Sequence, residues 1–115
     1  MTEKVILQRR DDLPMPLIAH HTPQDLAQWQ VSQLDWAYTR GERDLTISCF
    51  NPAQMGWDGG KTAYAVLRAV MDFLYDHRDV ERLTVLCAGE DAFRAYSLQW
   101  NFWFAAHKPQ HDHGA

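Results

Sequence analysis

Between Asp44 and His77 an apolar run, a glycine-rich loop and an amphipathic helix follow one another without interruption. The run is Asp44-Leu-Thr-Ile-Ser-Cys-Phe50, the loop Asn51-Pro-Ala-Gln-Met-Gly-Trp-Asp-Gly-Gly60, and the helix Lys61 to His77. In the helix Ala63, Val66, Leu67, Val70, Phe73 and Leu74 recur at helical spacing, while Arg68, Asp72, Tyr75 and Asp76 fall mainly outside that stripe. Leu45 to Phe50 carries Leu, Ile, Cys and Phe with only Thr46 and Ser48 between, so one face is buried and the other is open to burial. A loop that feeds a helix N-terminus after a buried strand is where α/β proteins commonly bind phosphates. Free backbone N–H groups and the helix dipole both point there.

The rest of the chain continues this alternation. Lys4 to Arg10 reads as a strand ended by Asp11-Asp12, and Leu17 to His21 as a second short strand after Leu13-Pro-Met-Pro16. Thr22-Pro23-Gln24-Asp25 is a helix start, with Thr22 as N-cap and Pro23 at the first position, and the helix runs from Pro23 to Thr39 before Gly41. Arg82 to Ala88 is a further apolar strand, and Glu90 to Ala106 a final helix that is aromatic on more than one side. Strands alternating with helices of this length predict an α/β domain of three layers, α/β/α: a small, mostly parallel sheet with right-handed crossovers and helices on both faces. Residues 1–106 are expected to form this single domain, and 107–115 a polar tail.

Composition narrows the function classes. The formal charge is −4, which argues against a nucleic-acid partner, since such binding needs a basic face. Cys49 and Cys87 lie inside apolar runs and read as reduced core residues. No apolar run is long enough to span a bilayer and no signal peptide opens the chain, so no membrane role and a cytoplasmic location are expected. His20-His21 and His111-Asp-His113 have no Cys or Glu at zinc spacing, and no metal or cofactor is expected. His77 is expected near a helix C-terminus, and Glu90 and Asp91 in a helix first turn, where the dipole favours their charges.

The stretch from Pro23 to Tyr96, about two-thirds of the chain, resembles the C-terminal part of the macro domains, modules that bind ADP-ribose. The pieces that carry the resemblance are Leu45-Thr-Ile-Ser-Cys-Phe50, Ala53-Gln-Met-Gly56-Trp57, Val70 to His77, Leu83-Thr-Val-Leu-Cys87 and Glu90 to Tyr96, in that order and spacing. The chain is shorter than a usual macro domain. It lacks the family's Asn-Ala-Ala-Asn segment, carries Ala53 where the family's loop has glycine, and has Asn51-Pro52 where the family has Ser or Thr. The resemblance implies a truncated macro-like fold that binds ADP-ribose or a related nucleotide or phosphate ligand at the 51–61 loop.

The expected ligand-binding residues are Asn51, Ala53, Gln54, Met55, Gly56, Trp57, Gly59 and Gly60, with Lys61 as an added point charge. No Walker or dinucleotide fingerprint is present, and no catalytic constellation assembles from spacing. If the chain is an enzyme, the resemblance implies hydrolysis of ADP-ribosyl groups. The alternative is a ligand-free interaction module, a homo-oligomer or the partner of another protein, that works through the aromatic C-terminal helix. Apolar surface left uncovered by a shortened fold marks such an interface.

Overall fold

The computed structural model describes residues 2–13, 22–50 and 56–104. A 3-10 turn over Thr2–Lys4 leads into β1 (Val5–Arg10). Then follow α1 (Pro23–Thr39), β2 (Asp44–Cys49), α2 (Gly59–Asp76), β3 (Arg82–Ala88) and α3 (Gly89–Gln99), which passes into a π-helical turn over Trp100–Phe104. The strand expected at 17–21 and the tail at 107–115 lie outside the described residues.

The three strands form one parallel sheet in the order β1-β3-β2. Register partners in a parallel sheet share a face, so the pairing sorts the side chains into rows. Val5–Leu83–Leu45, Leu7–Val85–Ile47 and Arg9–Cys87–Cys49 lie on one face. Val5, Leu83, Leu45, Val85, Ile47, Cys87 and Cys49 there are all buried. The opposite rows, Ile6–Thr84–Thr46 and Gln8–Leu86–Ser48, are half-buried or exposed.

The α/β class and the parallel sheet match the expectation from sequence. The expected cover on both faces is unequal among the described residues, and the strands themselves show why. Asp44-Leu-Thr-Ile-Ser-Cys49 alternates polar and apolar, whereas strands buried on both faces read as continuous apolar runs.

The buried face is covered by a core to which α2 contributes most. Thr62, Ala63, Val66, Leu67, Val70, Phe73 and Leu74 form its buried stripe. Helix α2 lies between α1 and α3 and touches both. On α1, Thr22 caps the helix by accepting from the Asp25 N–H at 3.1 Å. Buried Gln30 donates through Nε2 to the Ser48 carbonyl at 2.8 Å, which ties α1 to β2.

At the opposite end of the helices Arg43 forms a lock. It pairs with Asp79 at 2.9 Å, and its guanidinium lies 3.8 Å from the Tyr38 ring centroid. The Tyr38 hydroxyl donates to the same Asp79 at 2.6 Å, and these partners hold the Asp79 carboxyl below its ordinary range. His77 terminates α2 as expected, stacked on Phe73 at 4.0 Å with Nδ1 2.8 Å from the Phe73 carbonyl.

Two helix boundaries differ from the expectation. Helix α2 starts at Gly59 rather than Lys61, because the Asp58 carboxylate accepts from the Lys61 N–H at 2.8 Å and so draws both glycines into the first turn. The final helix is α-helical only to Gln99. Beyond it the wider π turn carries Trp103 and Phe104 onto Tyr64 of α2, at ring-centroid distances of 5.5 and 5.9 Å.

Candidate functional site

Of the residues expected to bind a ligand, Asn51, Ala53, Gln54 and Met55 lie outside the described residues. Gly56, Trp57, Gly59 and Gly60 are described and serve different ends. Gly56 has φ 75°, the left-handed region that favours glycine, and a Cβ there would meet nothing within 4 Å, so the backbone turn is what requires it. Trp57 is half-buried and packs against the core.

Gly59 and Gly60 are where α3 approaches α2. A Cβ on Gly59 would lie 3.8 Å from the Ala95 methyl, and one on Gly60 only 3.0 Å from Nε2 of Gln99. At position 60 a side chain would press on the end of the flexible Gln99 side chain. The aromatic run and the glycine pair, read separately in the sequence, meet here.

Their meeting shapes one wall of an open groove of about 850 Å³. Its floor is a stripe of α2, Lys61, Tyr64, Ala65 and Arg68, with Gly60 and the capping Asp58 at the N-terminal end. Helix α1 contributes Gln24, Ala27 and Gln28, and Gln99 and Trp103 close the other side. Among the expected residues the groove contains Gly60 and the adjacent Lys61; Gly56, Trp57 and Gly59 do not line it.

Lys61, Tyr64, Ala65 and Arg68 are i, i+3, i+4 and i+7, so they share one face. At 1.5 Å rise per residue the two cations are about 10 Å apart along the axis. The Arg68 guanidinium donates to the Tyr64 hydroxyl at 3.2 Å and sits 3.5 Å from Asp72. Both members of this ion pair are more than half exposed, so the pair is screened and leaves the arginine available to an anion.

The groove residues that spacing missed had a signal of their own. The non-core face of α2 repeats with the same helical period as its core stripe and holds two cations around an aromatic and an alanine. Only tertiary packing adds the glutamines of α1 and Trp103 to that face.

Elsewhere the described residues offer little reactive chemistry. No cluster of three or more His, Cys, Asp or Glu groups placed to hold a metal occurs among them. Glu90 pairs with Arg94 at 2.6 Å in the exposed first turn of α3.

Cys49 and Cys87 stand side by side in register, both buried and unpaired by any disulfide. Burial drives both thiols upward, that of Cys87 to about 12. Thiolates are scarce under those conditions, so neither cysteine is suited to nucleophilic or redox work at neutral pH. The native protein is expected to leave an aromatic disulfide reagent such as DTNB nearly unreacted over minutes, and the guanidinium-unfolded chain to titrate both thiols. Rapid reaction of either thiol in the native state would contradict the packing.

Among the described residues no helix is long and apolar enough to cross a membrane. The chain matches no family model, no curated protein and no solved structure.

Proposed function

We propose that this protein is a small macro-like module that binds a nucleotide-type phosphate ligand, ADP-ribose or a relative of it, in the groove at the N-terminal end of α2. The observation that carries the reading is the Lys61-Tyr64-Ala65-Arg68 stripe opening from the positive end of a helix into a groove of about 850 Å³. That volume lies within the range of small-molecule sites, roughly 300–1,000 Å³.

Two cations suit phosphate, while the Asp58 carboxylate already caps the Lys61 N–H at that end of the helix. The aromatic and carboxamide walls suit the uncharged remainder of a nucleotide. The described groove residues contain no nucleophile with an adjacent base, so the proposal is binding rather than turnover. A cytoplasmic setting belongs to the same proposal, supported by two unpaired cysteines, which suit a reducing compartment.

Ligand that binds only the folded state raises the melting temperature. ADP-ribose and AMP at millimolar concentration are expected to raise it by several degrees, and inorganic phosphate by less. No shift with any of the three would overturn the proposal.

One observation favours the alternative of an interaction module. Leu98 and Phe102 are 64% and 65% exposed beside half-exposed Trp103, forming an apolar patch next to the groove. The two surfaces meet at Trp103, which lines the groove and touches Phe102 of the patch.

A further inference from the structure

The groove wall formed by the π turn has a specific chemistry. Phe104 stacks on Trp100 with centroids 5.5 Å apart and rings at 23°, and on Tyr64 at 5.9 Å and 24°. Trp103 then meets the Tyr64 ring edge-on at 5.5 Å. The result is a braced aromatic ladder from Trp100 through Phe104 and Tyr64 to Trp103. Trp100 and Phe104 pack on the core, while Tyr64 and the 46% exposed Trp103 line the groove. A large apolar ring at the edge of the groove, set against its aromatic neighbours, is a stacking platform that loses little freedom when a flat ligand lies on it.

Beside the Tyr64 hydroxyl, the groove holds three carboxamides, Gln24 and Gln28 one turn apart on α1 and Gln99 at the end of α3. A carboxamide both donates and accepts, as the edge of a nucleobase does. The cations Lys61 and Arg68 lie on the α2 floor of the same groove.

Resting on the reading of the groove as a phosphate-ligand site, we infer that Trp103 is the platform for the ligand's base. The site would then discriminate nucleotides from sugar phosphates. A base stacked on an aromatic side chain adds about 10- to 100-fold in affinity, and the contribution tolerates different bases because every base has a π-face.

Calorimetric titration with AMP and with ribose 5-phosphate tests this directly, since the two share a sugar and a monophosphate and differ by the base. Wild-type protein is expected to bind AMP at least 10-fold more tightly. Trp103→Ala is expected to bring AMP down to the level of ribose 5-phosphate and leave the latter unchanged, and Trp103→Phe to retain most of the difference.

Equal affinity of the two ligands for wild type would overturn the inference and leave the phosphate reading standing. So would a Trp103→Ala variant that weakens both ligands alike. Absence of binding by every phosphate ligand would overturn both.

Discussion

Leu83→Asp is expected to abolish the folded state at 25 °C, seen as loss of the far-ultraviolet circular dichroism of the helices. Leu83 is fully buried in the central strand, in register with Val5 on one side and Leu45 on the other. The substitution removes about 2–3 kcal/mol of apolar burial. It also places a carboxylate where no partner awaits it, a further cost of several kcal/mol. Native domains of this size hold only about 5–15 kcal/mol in total.

The neighbouring position supplies the control. Ile6 lies one residue along β1 from Val5, on the opposite face, and is 38% exposed. Ile6→Asp is expected to cost about 1 kcal/mol or less and to unfold at nearly the wild-type urea midpoint. Similar losses at the two positions would mean that both faces of the sheet are equally covered.

The double variant Lys61→Glu, Arg68→Glu is expected to weaken ADP-ribose binding by 100-fold or more while leaving the fold intact. Hydrogen bonds to charged groups contribute about 1.5–3 kcal/mol each, and reversing both charges adds repulsion to their loss. Both side chains are exposed, and a glutamate in the first turn of α2 is favoured by the dipole. Unfolding midpoints should therefore stay close to wild type. Retained stability with lost binding separates a ligand role for this stripe from a structural one.

Much of the fold was legible because its signals are local and periodic. Helix α1 begins at Pro23, behind its Thr22 cap, and α2 and β3 follow apolar periods of 3.6 and 2 that no neighbouring residue contradicts. The alternation of β2 fits the unequal cover of the sheet, where helices on both faces were expected.

The failures arose where a residue's role depends on what comes from elsewhere in the chain. The start of α2 is the local exception: Asp58 reads as an N-cap in the sequence, and taking that cap at its word puts Gly59 and Gly60 inside the helix. Gly60 faces the end of the Gln99 side chain, 39 residues later, and nothing local announces that approach. The π turn follows a dense aromatic run, but its direction is set by Tyr64, which gives Trp103 and Phe104 a surface to land on. The described groove on the outer face of α2 shares Gly60 and Lys61 with the expected 51–61 loop, and its walls come from three helices.

Isothermal titration of ADP-ribose into the wild-type chain and into the Lys61→Glu, Arg68→Glu variant tests the central claim most directly. The groove reading predicts saturable binding of one ligand per chain to wild type and no measurable heat of binding with the variant. Undiminished binding to the variant would place the ligand elsewhere on the molecule. No saturable binding to wild type at millimolar ligand would remove the groove as a nucleotide site altogether.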